Sequence, residues 1–275
     1  MTRNFMSLLQ AKWDEGKFVC VGLDSKVENM PMLEGTGLPY PRLRFNRDII
    51  QATCDIACAF KPNLAFYLGD IGKRELSETI RLGQFHAPSV PWILDAKYGD
   101  IGTTNDEYVR DAFDYYGADA VTIHSNMGRV ANAPFLNQKD KGIFVLCKTS
   151  NPGSDEFQDL EIAGTGGESL YEIVASYVAQ FWNTNRNCGV VAGATYPHEL
   201  AAVRERVGDM PILIPGIGAQ GGDLKATVQA GKNSRNQGMI INSSRGIIFA
   251  SSGTDFAEAA RSETLKLHEE IQSYL

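Results

Sequence analysis

The sequence contains no long hydrophobic run and no cluster of basic residues. Its purely apolar stretches reach about six residues, whereas a membrane-spanning helix needs roughly 20. The formal net charge is -7, and the 26 Lys and Arg residues are dispersed along the chain. We therefore expect neither a membrane nor a nucleic acid as a partner. The N-terminal segment has mixed charge and no signal-peptide core, which favours a cytoplasmic location.

The five cysteines and four histidines form no metal-binding pattern. No cysteine pair has C-x-x-C spacing, and no histidine pair has H-x-x-x-H spacing. Structural and catalytic zinc sites depend on such spacings. We therefore expect free, buried thiols and no metal site.

Eight short apolar segments alternate with longer helical stretches. The predicted strands are 18–24, 57–62, 91–97, 120–124, 143–148, 189–193, 211–215 and 238–242. The predicted helices are 3–15, 45–57, 73–84, 104–116, 167–184, 197–207, 222–231 and 254–273. Nearly continuous apolar strands are typical of a parallel sheet that is buried on both faces. The pattern predicts an α/β fold, a (β/α)8 TIM barrel forming a single domain over residues 1–275. A doubly wound open sheet is the alternative, and the polar residues that follow nearly every strand weaken it.

Charged residues collect at the predicted strand ends, where a (β/α)8 barrel carries its active site. Asp95 and Lys97 lie two apart on a strand and should project to the same side. Together with Lys61 and Asp100 they would form an array of alternating charge. A lysine held between carboxylates stays protonated, which suits a general acid better than a Schiff-base nucleophile. A purely structural ion-pair network is the alternative.

Glycine-rich segments after the seventh and eighth strands predict a phosphate site. They are PGIGAQGGD at 215–223 and NSSRG at 242–246. Glycines let backbone N–H groups approach an anion, and the helix after each loop should point its positive end at it. Arg245 would add a bidentate contact. Two tight turns with a solvated Arg245 are the alternative. Two further long segments, 25–44 and 149–168, are candidate lids.

Several of these segments match a known family. D-A-K-Y-G-D-I-G-T-T at 95–104 resembles the D-x-K-x-x-D-I-x-x-T signature of the orotidine 5′-monophosphate decarboxylases. F-K-P at 60–62, G-L-D at 22–24, the glycine-rich segment at 215–223 and S-R-G-I-I at 244–248 are similar to other motifs of that family. The resemblance covers nearly the whole chain and is greatest to the larger, type 2 branch.

The resemblance implies decarboxylation of orotidine 5′-monophosphate (OMP) to uridine 5′-monophosphate (UMP) and CO2, the last step of de novo pyrimidine biosynthesis, without metal or cofactor. Lys97 would protonate C6 of the pyrimidine, and Asp95 would lie beside the departing carboxylate. Lys61 and Asp24 would hold ribose hydroxyls. Ser150 would bind the pyrimidine amide.

The resemblance also implies a phosphate site and a homodimer. Gln220 and Arg245 would bind the phosphate, and the same two loops contribute the substrate-binding residues Pro215, Gly221 and Ser244. Asp100, Ile101 and Thr104 would reach into the neighbouring subunit's site, so that the active sites are shared.

Two other functions remain as alternatives. Mg²⁺-dependent sugar-phosphate decarboxylases and aldolases of the same suprafamily share D-x-K-x-x-D, but they carry an acidic residue where this chain has Lys61. A non-catalytic nucleotide-binding barrel would bind phosphate without turnover.

Overall fold

The computed structural model describes residues 3–31, 40–217 and 223–275. Within them, eight parallel strands form one sheet. The strands are β1 Val19–Gly22, β2 Ala59–Lys61, β3 Ile93–Tyr98, β4 Ala120–Ile123, β5 Gly142–Lys148, β6 Cys188–Ala192, β7 Ile212–Ile214 and β8 Met239–Ser243. Nearly all their residues are buried, as a sheet covered on both faces requires.

The sheet closes on itself. The strand order is β2-β1-β8-β7-β6-β5-β4-β3, which makes β2 and β3 its two ends. Two isolated parallel bridges join these ends, one between Phe60 and Trp92 and one between Asn63 and Asp95. The prediction of a (β/α)8 TIM barrel, and not an open doubly wound sheet, is confirmed.

Helices follow the strands in the order expected for this fold. In the described residues they are α1 Phe5–Asp14, α2 Pro41–Thr53, α3 Asp70–His86, α4 Gly102–Val109, α5 Gly128–Ala131, α6 Ala133–Leu136, α7 Asp155–Gln158, α8 Leu170–Tyr177, α9 Pro197–Val207, α10 Leu224–Gly231, α11 Arg245–Ile248 and α12 Phe256–Ser273. A π-helical turn extends α4 over Arg110–Tyr115, and another extends α8 over Val178–Trp182. Among the described residues, no helix combines the length and apolarity that crossing a membrane requires.

Helix α1 covers the N-terminal end of the barrel. The Phe5 ring packs edge-on against Phe144 of β5, with 5.5 Å between centroids. The indole N–H of Trp13 donates to the carbonyl oxygen of Met239, the first residue of β8, at 2.8 Å. Gly142 is required at the start of β5 because a Cβ there would lie 2.3 Å from the Phe5 ring. With this end covered, the C-terminal ends of the strands are left for a site.

The helices differ from the sequence prediction in several places, which include the unpredicted single turns α7 and α11. The helix expected at 45–57 begins earlier, at Pro41, because proline fits the first turn of a helix. Between β4 and β5 no helix was expected, yet two single turns, α5 and α6, lie there. Asn132 separates them by donating to the carbonyl oxygens of His124 and Gly128, each at 3.1 Å.

Arg204 of α9 connects four segments at the outside of the barrel. Its guanidinium donates to the carbonyl oxygens of Gly208 (2.6 Å), Met210 (2.7 Å), Gly231 (2.8 Å) and Gly238 (2.9 Å). Burial lowers its pKa to about 10, so it remains a cation at neutral pH. The side chain donates to four backbone carbonyl groups, of which Gly238 also accepts the Ile212 N–H at 2.9 Å.

Replacing this arginine should therefore destabilise the barrel. Arg204→Met removes all four donors, and we expect the free energy of unfolding to fall by about 3 kcal/mol. Urea denaturation measures the change. Arg110→Met is the matched control, since Arg110 makes an exposed ion pair with Glu107 and should contribute less than about 1 kcal/mol. Equal losses in the two variants would contradict the role assigned to Arg204.

Candidate active site

A cavity of about 300 Å³ opens at the C-terminal ends of the strands. The described residues that line it include Asp24, Lys61, Asp95, Lys97, Thr122, Ser150, Pro215, Asn242, Ser244 and Arg245. They come from strand ends around the barrel, which is where this fold places its active sites. Most of the polar residues predicted from the strand ends therefore share one cavity.

Asp95 bridges two lysines within this cavity. Its Oδ2 lies 2.9 Å from the Lys61 Nζ, and its Oδ1 lies 2.6 Å from the Lys97 Nζ. The side chains of Lys61 and Asp95 are only 5% and 11% exposed, whereas that of Lys97 is 43% exposed. The Asp95 and Lys97 side chains thus project to the same side, as predicted. Of the two lysines that contact Asp95, Lys97 is the more accessible.

The burial and the charges of this cluster shift the acidities of its members. Burial alone would raise the pKa of the Asp95 carboxyl, but the Lys61 and Lys97 ammonium groups hold it well below its ordinary value. Burial likewise lowers the pKa of the Lys61 ammonium, yet Asp95 and then Asp24 outweigh it and raise that pKa. Asp95 and Lys61 therefore form an ionised pair at neutral pH.

The backbone of Lys97 has a conformation that the sequence did not indicate. Its φ is +51°, in the left-handed region that favours glycine. The Lys97 N–H donates to the Thr122 hydroxyl of β4 at 3.0 Å, and that hydroxyl donates to Asp95 Oδ1 at 2.9 Å. Sequence reasoning missed Thr122, because these contacts depend on the register between two strands.

Two buried oxygen atoms in the cavity walls lack hydrogen-bond partners. They are Oδ1 of Asp24, after β1, and Oδ1 of Asn242, on β8. Burying a polar atom without a partner costs free energy, and such atoms in a cavity are typical of ligand-binding groups. Asp24 was predicted as a site residue. Asn242 was predicted only as part of the phosphate segment 242–246, because nothing in the sequence distinguishes its amide from a structural one.

Ser150 lies at the cavity on a loop that buried charges anchor. Gly193 makes room for it, since a Cβ at that glycine would lie 2.7 Å from the Ser150 Cβ. Lys148, two residues before Ser150, has a side chain that is only 2% exposed, and it ion-pairs with Asp159 and, at 3.4 Å, with Glu199. The predicted lid at 149–168 is therefore tied to the barrel in this structure, and it includes the short helix α7.

The predicted phosphate residues are only partly described. Pro215, Ser244 and Arg245 line the cavity, and Arg245 is exposed. Gln220 and Gly221 lie outside the described residues.

The N-terminus of helix α10, which the sequence predicts to point its positive end at the phosphate, carries a carboxylate cap. Asp223 immediately precedes the helix, and its Oδ1 accepts the Ala226 N–H at 3.0 Å. A carboxylate already satisfies this helix end, so an anion gains less from it.

Asp100 does not join the charge cluster of its own chain, so the four-member array expected from the residues is wrong for a single subunit. Its Oδ1 accepts the Ile101 N–H at 2.6 Å, and its N–H donates to the Asn105 side chain at 3.1 Å. The Ile101 side chain is 56% exposed. Asp100 and Ile101 lie just before α4, and Thr104 lies in its first turn. None of the three is among the described residues that line the cavity.

Comparison with known proteins gives one consistent result. The model of the orotidine 5′-phosphate decarboxylase / HUMPS family matches residues 17–261. An orotidine 5′-phosphate decarboxylase of Azoarcus sp. (strain BH72) is 45% identical over 272 residues, which cover 98% of this chain and 99% of that protein. The matched residues include every strand end that contributes to the cavity.

Solved structures agree in fold. The OMP decarboxylase of Leishmania donovani superposes with a TM-score of 0.83 at 37% identity and covers 98% of both chains. The UMP synthase of the same organism gives a TM-score of 0.86 at 39% identity. That match covers 99% of this chain, which spans 57% of the UMP synthase.

The ion pair of Asp95 should make stability depend on pH. Because the folded-state pKa of Asp95 is depressed, its contribution is present above its unfolded pKa, about 3.9, and is lost as pH falls. Lys61→Met should destabilise by about 3 kcal/mol at pH 7. In that variant the pKa of Asp95 rises. The difference in the free energy of unfolding between wild type and variant should therefore shrink toward pH 3, as measured by urea denaturation.

Lys12→Met is the matched control for this measurement. Lys12 is also buried, but its partner Glu15 is 45% exposed and keeps its contact with Lys17. The loss in this variant should change little with pH. The pairing of Lys61 with Asp95 would be contradicted if the loss of unfolding free energy in Lys61→Met stayed constant or grew as the pH falls.

Proposed function

The chain belongs to the orotidine 5′-phosphate decarboxylase / HUMPS family, and we propose that it converts OMP to UMP and CO2, the last step of de novo pyrimidine biosynthesis, through a single domain spanning residues 1–275. The observation that carries the proposal is the buried Asp95 carboxylate, which holds the accessible Lys97 ammonium at the cavity. The cytoplasmic location stays a prediction.

The proposed reaction needs an acid at one carbon atom. The bond between C6 and the carboxylate breaks, CO2 leaves, and the electron pair remains on C6. The Lys97 ammonium stabilises that charge and donates a proton to C6, and the neutral amine then regains a proton from water. Asp95 holds the Lys97 ammonium in place before the step and places negative charge beside the carboxylate that leaves.

The lysine contacts support chemistry without a metal ion. Both oxygens of Asp95 already accept hydrogen bonds from ammonium groups. A Mg²⁺ ion at this position would require carboxylate oxygens and would be repelled by Lys61 and Lys97. The Mg²⁺-dependent alternative is therefore disfavoured on the charges present.

The rest of the cavity fits the other parts of the nucleotide. Asp24, whose Oδ1 has no partner, and Lys61 bind the ribose hydroxyls, which can donate to that oxygen. Ser150 binds the pyrimidine amide. The phosphate lies at Arg245 with the residues of the two glycine-rich segments, namely Pro215, Gln220, Gly221 and Ser244.

The functional unit we propose is a homodimer with shared sites. Asp100, Ile101 and Thr104 leave the cavity of their own chain and complete that of the partner. Large exposed apolar side chains support this. Ile101 immediately precedes α4, Met127 immediately precedes α5 and Val130 lies on α5, and they are 56%, 47% and 79% exposed. Such a patch beside an active site is typical of a subunit interface.

Turnover of OMP in excess EDTA tests the activity. We expect loss of the orotate absorbance with no added metal, and we expect Lys97→Ala to lower kcat by about 10²–10⁴-fold because the proton donor is gone. Turnover that requires added Mg²⁺ would favour the sugar-phosphate branch of the family. Binding of UMP without any turnover of OMP would identify a non-catalytic barrel.

Mixing two inactive variants tests the shared site. In a Lys97→Ala and Asp100→Ala heterodimer, one site carries both defects and the other carries none. An equal, fully exchanged mixture should therefore recover about one quarter of wild-type activity. The matched control is Lys97→Ala with Lys61→Ala, which should stay inactive because both defects affect the chain's own site. No recovery in the first mixture, with subunit exchange verified, would show that Asp100 acts within its own subunit.

A further inference from the structure

The pairing of β3 with β4 contains an irregularity at the charged cluster. Leu94 pairs with Val121 and Tyr98 pairs with Ile123. Three residues of β3, from Asp95 to Lys97, therefore lie opposite the single residue Thr122. Such a bulge re-aims side chains and leaves backbone groups without their usual ladder partners.

The Thr122 hydroxyl replaces the missing ladder bond. It accepts the Lys97 N–H at 3.0 Å and donates to Asp95 Oδ1 at 2.9 Å. A hydroxyl has one hydrogen to donate, and here it goes to the carboxylate that holds the Lys97 ammonium. One atom thus holds the backbone of Lys97 and, through Asp95, the position of its side chain.

Thr122 is the one polar residue of its strand. The strand reads Ala120-Val121-Thr122-Ile123, is buried throughout, and is apolar except at this residue. Thr122 itself is 1% exposed. A valine would fill nearly the same space, so packing alone does not call for an oxygen here.

The conformation of Lys97 needs such support. A φ of +51° is unfavourable for a residue with a side chain, and it persists only where neighbouring contacts enforce it. The N–H bond to Thr122 fixes the backbone on one side of this residue. Without it, β3 could return toward an extended strand, and the Lys97 Nζ would move relative to Asp95.

We propose that Thr122 is the positioning residue of the proton donor: its hydroxyl keeps Lys97 in the left-handed conformation and orients the Asp95 carboxylate that grips the lysine. The inference rests on the proposed decarboxylation, since Lys97 must face the reacting carbon. Thr122 acts through Lys97 and Asp95, so its loss should affect the chemical step more than substrate binding.

Steady-state kinetics of Thr122→Val and Thr122→Ser test this role. Valine keeps the volume and removes the hydroxyl, and we expect kcat to fall about 10–100-fold with KM nearly unchanged, because a small displacement of a reacting group is costly. Serine keeps the hydroxyl and should retain near-wild-type kcat. If the valine variant does not fold, Thr122→Ala carries the same expectation.

Thr264→Val is the matched control. Thr264 is fully buried far from the cavity, on α12, and its hydroxyl donates to the Ala260 carbonyl oxygen of its own helix at 2.7 Å. This variant should keep wild-type kcat even if it loses stability. Equal losses of kcat in the two valine variants, or a Thr122→Val variant with wild-type kcat, would overturn the proposal.

A crystal structure of Thr122→Val separates this inference from the proposed function. We expect the Lys97 φ to leave the left-handed region and its Nζ to move from Asp95 by more than about 0.5 Å. An unchanged Lys97 would overturn the positioning role whatever the activity. A wild-type protein that does not turn over OMP would overturn the proposed function, while the geometric result would still decide what holds Lys97.

Discussion

The burial of Asp95 between two ammonium groups is the constraint on which the site depends. The Asp95 side chain is only 11% exposed, and its carboxylate stays ionised because Lys61 and Lys97 both contact it. Lys61 comes from the neighbouring strand across the seam where the barrel closes, and Asn63 forms a bridge with Asp95 at that seam. The pairing that closes the sheet therefore also brings Lys61 to Asp95.

In the remainder of the cavity, ion pairs and polar groups matter more than hydrophobic packing. Buried charges fix the loop that carries Ser150, since Lys148 ion-pairs with Asp159 and Glu199 beneath it. Elsewhere the walls present unpartnered oxygens at Asp24 and Asn242. The cavity thus combines a charged cluster, in which Asp95 contacts both lysines, with oxygen atoms that have no hydrogen-bond partner. This combination is expected of a site that binds a polar nucleotide.

The sequence was sufficient for the architecture but not for its details. The apolar strands and their order predicted the barrel, because burial on both faces leaves a recognisable composition. The single turns between β4 and β5 are too short to show a hydrophobic period, and Asn132 separates them by donating to the carbonyl oxygens of Gly128 and His124. The Asp223 cap on α10 was not predicted, because the pattern of the segment 215–223 is dominated by its glycines.

The sequence by itself identified Lys61, Asp95 and Lys97 as charges that meet at the barrel mouth, although it added Asp100 to them. Alternation along a strand places Asp95 with Lys97, and the position of parallel strand ends adds Lys61 and Asp24. Only the tertiary structure decided that Lys97 adopts φ +51°, that Thr122 holds it, that Asn242 faces the cavity and that Asp100 turns away. These features follow from the register between strands and from contacts between residues far apart in the chain, which side-chain periodicity within one segment does not encode.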